Sequence, residues 1–237
     1  MEITLHKIPK NPIVIEGFPG HGLVSTIVTG YLVDHLNTEP IGKIWLPELK
    51  PIVAIQHSEI INPLEIFWDR EHNIIIVQSL TGATGLEWKI AEGIANLCKR
   101  VKAKEIISIE GIASPTASKS PKTYYYASTI NLKKKFEDIG IRKVGSGIVI
   151  GVTAALLLKL PKTIPASCIF VEAELGMPDS KAAAEIIKVL DDYLGLKVNY
   201  KPLLRKAEKF EENLKKLITD TKSAHKRQQI KDLNYLG

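Results

Sequence analysis

The chain has 237 residues, of which 45% are hydrophobic and 24% charged, and its formal net charge is +6. This composition excludes disordered and collagen-like classes, and the length suits one large domain or one domain with an appendage. No membrane span is predicted, because the longest apolar run, Ile148 to Leu158, is far short of the roughly 20 residues that cross a bilayer.

The amino terminus, MEITLHKIPKNP, lacks the basic, apolar and small-residue regions of a signal peptide, so a cytoplasmic location is expected. Cys98 and Cys168 each lie in an apolar segment, which predicts buried free thiols rather than a redox pair. The six histidines are scattered and form no metal-ligand spacing. No metal or cofactor is therefore predicted. The abundance of Lys, Glu and Ile is compatible with a thermophilic source.

Alternating apolar runs and helical patterns predict an α/β fold. Strands are predicted at 13–16, 41–46, 53–57, 65–69, 73–79, 105–109, 142–145 and 168–172, with a short one at 196–200. Helices are predicted at 21–36, 86–102, 132–139, 149–158 and 179–194. This order favours a mainly parallel sheet flanked by helices, which an antiparallel hairpin joins within 41–79.

The last part of the chain differs from the rest in charge and periodicity, which predicts a domain at 1–200 and a C-terminal helix and tail at 201–237. The helix has small or apolar residues at coiled-coil spacing: Leu203, Ala207, Phe210, Leu214 and Leu217, followed by Thr221 and Ala224. It either packs on its own domain or pairs with copies of itself. The segment from Lys201 to Gly237 carries ten Lys/Arg against five Asp/Glu, which fits either an acidic or nucleic-acid partner or a solvated helix of mixed charge.

Three loops rich in small residues follow predicted strands, and open α/β sheets bind ligands at that carboxyl edge. A possible ligand loop comprises Gly17, Gly20, His21 and Gly22 together with Gly82 and Gly85, and residues 111–122 form the third loop. The first glycine cluster matches neither a dinucleotide fingerprint nor a phosphate-binding P-loop. It is interpreted either as an anion site or, with greater weight, as a tight turn between strand and helix.

Few residues are candidates for acid–base chemistry: Glu110, Glu172, Glu174 and His21. They would act together only if they converged on one cavity, so no catalytic residue is assigned and binding is favoured over catalysis. The run Tyr124-Tyr125-Tyr126 predicts a half-buried strand, in which the middle tyrosine faces away from the outer two. A nucleic-acid platform is not favoured.

Three segments carry a family resemblance: GFPGHGLVSTIVTGYLVDHL, EGIA, and GMPDSKAAAEIIKVLDDYLGLKVNYKPLLRKAEKFEENLKKL. Together they resemble the PAC2 family, the proteasome assembly chaperones and their archaeal homologues, over roughly Ile13 to Leu217. The resemblance implies a sheet like that of the nucleoside phosphorylase/hydrolase fold, with no established catalytic set. It also implies self-association through helices and binding to proteasome α-subunits. Fold similarity to an enzyme does not transfer its activity.

Some members of that family end in a hydrophobic-Tyr-any motif that enters pockets between α-subunits. This chain ends in Leu233, Asn234, Tyr235, Leu236 and Gly237, so its tyrosine is third from the end rather than second. The tail is predicted to bind the partner through Leu233, Tyr235, Leu236 and Gly237, with the aromatic side chain as an anchor.

Two functions follow from these observations. The first is a proteasome-assembly chaperone-like homo-oligomer, such as a tetramer or pentamer, that presents its tails to proteasome α-subunits or to another PAC2-family protein. The second is a nucleotide- or nucleoside-binding protein or enzyme that uses the glycine-rich loops at the carboxyl edge of the sheet.

Overall fold

The computed structural model describes residues 1–49, 51–56, 58–114, 120–202 and 204–205. Its strands are β1 (Glu2–Leu5), β2 (Ile13–Gly17), β3 (Thr38–Trp45), β4 (Ala54–Gln56), β5 (Glu59–Ile61), β6 (Leu64–Asp69), β7 (Ile74–Ser79), β8 (Glu105–Ser114), β9 (Thr123–Ala127), β10 (Arg142–Lys143) and β11 (Ala166–Glu174). Its helices are α1 (Val24–His35), α2 (Glu87–Val101), α3 (Ile130–Asp138), α4 (Gly151–Lys159) and α5 (Ser180–Leu194), and a 3-10 turn (His21–Leu23) precedes α1.

Nine strands form one mixed sheet in the order β1-β3-β6-β7-β2-β8-β11-β9-β10. The central strands β7, β2, β8 and β11 are parallel to one another, as are β9 and β10 at one edge. The pairings β1 with β3, β3 with β6, β6 with β7, and β11 with β9 are antiparallel. The predicted mainly parallel sheet is therefore not confirmed, although the predicted antiparallel hairpin is present as β6 and β7. Short connections such as 70–73 reverse the chain, whereas parallel pairing needs a longer crossover.

The sheet is covered by helices on both faces, which explains why its central strands are apolar at successive positions. Ile15 packs on one side with residues of α1, α3 and α5, whereas Val14 packs on the other with residues of α2 and α4. The same alternation separates Ile76 from Ile75 and Val77 in β7. Successive side chains of a strand point to opposite faces, so each central strand contributes to both cores.

The predicted end signals of α5 are confirmed. Asp179 accepts a hydrogen bond from the Ala182 backbone N–H at 2.9 Å, as an N-cap does. Gly195 closes the helix with a φ of 69°, in the left-handed region that glycine adopts without strain.

Three predictions about strands need correction or addition. No strand forms at 196–200, because Lys197 has a φ of 55° and the Val198 N–H donates to the Asp191 side chain instead of to a neighbouring strand. Strands β1 and β5 were not predicted from sequence. The predicted strand at 53–57 is the short β4, which pairs with β5 outside the main sheet.

Candidate functional site

A cleft of about 900 Å³ lies at the carboxyl ends of the central strands β8 and β11. The 3-10 turn contributes His21 to its lining, β8 contributes Glu110, and β11 contributes Phe170. The segment that leads into α4 forms much of the remaining wall, from Lys143 to Ile150. Ligands of open α/β sheets bind at this edge, so the cleft is the candidate functional site.

Two glutamates from neighbouring strands meet where Glu110 lines the cleft, with Glu16 buried beneath it. The Thr153 hydroxyl of α4 lies 2.6 Å from Glu110 Oε1 and 3.3 Å from Glu16 Oε1, which places the two carboxyl groups around one hydroxyl. Glu16 is 1% exposed, whereas Glu110 is partly open to the cleft. A side-chain hydrogen bond also joins Glu16 to Ser108. The floor therefore combines a buried carboxyl group with an accessible one.

Burial dominates the electrostatics of this pair, because removal from water penalises the charged form of a carboxyl group. It raises the pKa of Glu16 to about 8, with a further rise from the nearby Glu110 charge, while the bonds from Ser108 and Thr153 oppose the shift. Burial likewise raises the pKa of Glu110 to about 7, against the Thr153 hydrogen bond. The pair therefore exchanges protons near neutral pH, and it can accept hydrogen bonds or hold a cation.

The first glycine cluster forms a tight turn whose backbone approaches its neighbours closely. A Cβ atom on Gly17 would lie 2.8 Å from the Ser25 carbonyl oxygen, and one on Gly22 would lie 2.8 Å from Ala173 Cβ. Gly22 also has a φ of 64°. Gly20 has room, but a Cβ there would lie 3.5 Å from Glu110 Oε2. This geometry favours the packing interpretation of the turn, which holds His21 at the cleft.

The second glycine loop is separate from the cleft. Neither Gly82 nor Gly85 is among the residues that line the cleft, and a Cβ on either would meet nothing within 4 Å. The Gly85 N–H donates to the Glu87 side chain at 3.1 Å, at the start of α2. The structure thus brings His21 and Glu110 together but places Gly82 and Gly85 elsewhere.

The other predicted acids lie outside the cleft. Glu172 borders an adjoining recess of about 390 Å³ and accepts a hydrogen bond from the Tyr124 hydroxyl at 3.0 Å. Glu174 lines neither cavity, and its backbone N–H donates to Asp179. The tyrosine run forms β9 as predicted, with Tyr125 buried and Tyr126 38% exposed.

Sequence reasoning missed Glu16 and Thr153 as site residues. Glu16 had a detectable signal, because it is the charged residue that ends the apolar run Ile13, Val14 and Ile15. Buried charges need a partner or a function, so such a residue is a candidate. Thr153 gave no such signal, since a threonine in an apolar helix commonly bonds its own backbone.

Several predicted residues lie outside the described ranges: Leu203, Ala207, Phe210, Leu214, Leu217, Leu233, Tyr235, Leu236 and Gly237. Across the described ranges, no group of three or more His, Cys, Asp or Glu side chains is placed to hold a metal ion. Within those ranges no helix is long and apolar enough to cross a membrane. Cys98 and Cys168 are free and buried, and burial raises the pKa of Cys98 to about 12.

The fold and site define a three-layer α/β protein with a mixed sheet. Its cleft lies at the ends of the central parallel strands and is lined by a glutamate. The sequence model of the PAC2 family matches residues 14–218. The chain belongs to the PAC2 family.

The chain is also similar to an archaeal protein in sequence and to two solved structures in fold. An uncharacterized protein of Methanocaldococcus jannaschii is 28% identical over 211 residues, which cover 88% of this chain and 86% of the relative. The crystal structure of Pyrococcus furiosus PbaA, an archaeal homolog of proteasome-assembly chaperone, has a TM-score of 0.83 at 27% identity and covers 97% of both chains. Pyrococcus furiosus PbaB, an archaeal proteasome activator, has a TM-score of 0.78 at 21% identity, over 91% of this chain and 98% of PbaB, which supports the fold alone.

Proposed function

We propose that this protein is a proteasome-assembly chaperone-like factor that self-associates and presents its C-terminal tails to a proteasome-related partner. The observation that carries the proposal is the match to the PAC2 family over residues 14–218. The likeness to PbaA over 97% of both chains supports it further. The partner is a set of proteasome α-subunits or another PAC2-family protein, and the setting is the cytoplasm.

Self-association would use the C-terminal helix, through Leu203, Ala207, Phe210, Leu214 and Leu217. Their coiled-coil spacing suits pairing between copies, as in a tetramer or pentamer. Large apolar side chains on the described surface are consistent with protein contacts. Ile55 of β4 and its cross-strand partner Ile60 of β5 are 75% and 64% exposed. Contiguous exposed apolar groups mark interaction sites on soluble proteins.

The tail in this proposal is the end of the segment 201–237, which carries the C-terminal helix and follows the α/β domain at 1–200. Leu233, Tyr235, Leu236 and Gly237 supply the contacts, with Tyr235 as an aromatic anchor. Several tails on one oligomer would bind together, which raises the overall affinity without any new contact.

The test is co-sedimentation of the full-length chain with archaeal proteasome α-rings. Removal of residues 230–237, or the single change Tyr235→Ala, should abolish binding or weaken it at least about tenfold. The matched control is Asn234→Ala, which leaves the apolar contacts in place and should bind normally. Direct binding is refuted if the full-length protein does not associate. The tail assignment fails if the truncated protein binds as well as the intact one.

The second candidate is a nucleotide- or nucleoside-binding protein or enzyme, for which the convergence of His21 and Glu110 on one cleft is the favourable observation. The likeness to the nucleoside phosphorylase/hydrolase fold, which the PAC2 resemblance implies, stays a prediction and does not by itself favour this candidate. Two features weigh against a nucleotide: Gly82 and Gly85 lie elsewhere, and carboxylates on the floor repel phosphate. Calorimetry with purine nucleosides, ATP and phosphate is the check, and heat from any of them would favour this candidate.

A further inference from the structure

Glu110 at the floor of the cleft and Glu16 beneath it have no neutralising cation among the described residues. None of the ion pairs found in those ranges includes Glu16 or Glu110. The partners of the pair are hydroxyl groups, those of Thr153 and Ser108. Burying two carboxyl groups without a positive partner disfavours their ionised forms, and a pair of groups with such raised pKa values beside a cavity is a candidate for a functional site.

The accessible member of the pair faces a cavity large enough for a ligand. Glu110 lines the cleft of about 900 Å³, and Thr153 ties Glu110 to Glu16 beneath it. Volumes of this size are typical of sites for small organic molecules. The pair therefore lies where a bound molecule would reach it, unlike the buried Glu105 of the same strand, which bonds Ser167 and Tyr193 and does not line the cleft.

The walls above the carboxyl groups are largely apolar. Ile112, Tyr126 and Phe170 come from the strands, and Ile148, Ile150 and Leu157 come from α4 and the segment before it. Ile148 is 94% exposed and Ile150 is 74% exposed, so these side chains are available to cover a bound molecule. An apolar wall above an acidic floor selects a molecule with an apolar body and a positive head.

We propose that this cleft binds a small organic cation, an amine or amidine with an apolar body, whose positive head pairs with Glu110 above Glu16. An amidinium group offers parallel N–H donors to a carboxylate, which is a strong and directional arrangement. The site is independent of the proposed role in proteasome assembly. It also differs from the nucleotide candidate in the sign of the charge that it selects.

The thiols near the pair are neutral, so the glutamates are the source of negative charge in this part of the site. Cys168 and Cys98 lie near Glu16, and burial raises the pKa of both thiols, so they stay neutral at physiological pH. His21 and Lys143 also line the cleft, but neither contributes to the shifted pKa of Glu16 or Glu110. A cation that pairs with Glu110 favours its ionised form, so binding should release protons just below neutral pH.

The experiment is isothermal titration calorimetry of the full-length chain with benzamidine and phenethylamine, each at about 1 mM. Benzoate and benzyl alcohol serve as isosteric anionic and neutral probes. Binding of the cations alone supports the proposal. Equal binding of benzyl alcohol would show that the apolar wall acts without the carboxyl floor, which overturns it, as would an absence of heat from both cations.

A lysine or arginine side chain of another protein carries the same chemistry, so the panel includes the capped peptide acetyl-Phe-Arg-amide. Saturation by the peptide and not by the free amines would overturn the small-molecule assignment and assign the cation site to a protein side chain. Binding of the free amines would assign it to a small molecule. Glu110→Gln should reduce affinity in either case.

The variant Glu110→Gln keeps the side-chain shape and should weaken the cation at least about tenfold, because a charged hydrogen bond becomes neutral. The matched control is Glu105→Gln, a buried carboxyl of the same strand that lies away from the cleft, and it should bind as the wild type does. Unchanged affinity in Glu110→Gln, with a normal thermal unfolding curve, would refute the proposal.

A second readout does not depend on the stability of a variant. Titration of the wild type at about pH 6.5 in two buffers of different ionisation enthalpy measures the protons released on binding. Net release is expected, because the cation ionises Glu110. Binding without proton release would contradict the assignment of the charged head to this pair.

Discussion

Two walls of the same cleft differ in how tightly their glycines are packed. The glycine turn at 17–22 is closely packed, since a Cβ atom on the facing Gly111 would lie 2.2 Å from the His21 carbonyl oxygen. The segment at 145–150 is open, because a Cβ on Gly145 or Gly147 would meet nothing within 4 Å, and Ile148 projects into solvent. The comparison teaches that glycine has different roles in the two walls: close approach in one and no steric demand in the other.

Among changes to the walls of the cleft, the largest expected effect comes from filling the packed wall. Gly111→Ala should destabilise the protein by about 2–3 kcal/mol, because the new methyl group must displace the backbone of His21. Urea unfolding measures the loss. Gly147→Ala is the control in the open wall and should change the free energy of unfolding by less than about 0.5 kcal/mol. Similar unfolding midpoints for the two variants would remove the distinction between the walls.

The next effect concerns the carboxyl pair between the walls. The folded pKa of Glu16 lies above its ordinary value, so the folded state binds more protons than the unfolded state and its stability falls as pH rises. We expect a decrease on the order of 2 kcal/mol between about pH 5 and 8. Denaturant unfolding across that range gives the slope.

The variant Glu16→Gln should reduce that pH dependence, because the amide does not titrate, and leave the smaller share that comes from the raised pKa of Glu110. Glu39→Gln is the control: its carboxylate is exposed, bonded to Lys7, and has a lowered pKa, so the fall in stability towards pH 8 should remain. A wild-type stability that rises steadily over the same range would contradict the burial of the pair.

The smallest effect is expected at the open wall. Ile148 is 94% exposed, so Ile148→Ser should change the free energy of unfolding by less than about 0.5 kcal/mol. Leu156→Ala, in the fully buried face of α4, should cost about 2–5 kcal/mol by contrast. Thermal unfolding of the two variants measures both losses. A large loss in Ile148→Ser would mean that the open wall is packed in solution.

Much of the fold was predictable because local signals agree with the tertiary environment. The apolar runs at Ile13 and Ile74 predicted central strands, and the Asp179 and Gly195 caps fixed the limits of α5. The failures occurred where one residue's backbone or a distant pairing decided the outcome. Lys197 interrupts a strand-like pattern through its positive φ, and β1 depends on pairing with β3 far along the chain.

The candidate site was predictable only in part. His21 and Glu110 were named as candidates, but their distance from each other depends on the adjacency of the turn to β8, which no local pattern encodes. The grouping of Gly82 with the first glycine cluster illustrates the limit, since both follow parallel strands and yet only one borders the cleft. The strand order, rather than the loop composition, selects which carboxyl-edge loops share a cavity.

The sequence by itself determined the class of the protein, most of its elements and its PAC2 motifs, because periodicity, caps and glycine turns act over a few residues. Only the tertiary structure decided that Glu16 and Glu110, on different strands, share the hydroxyl of Thr153. That meeting depends on parallel pairing of β2 with β8 and on the packing of α4 against the sheet. Long-range contacts of this kind set both the raised pKa values and the cleft.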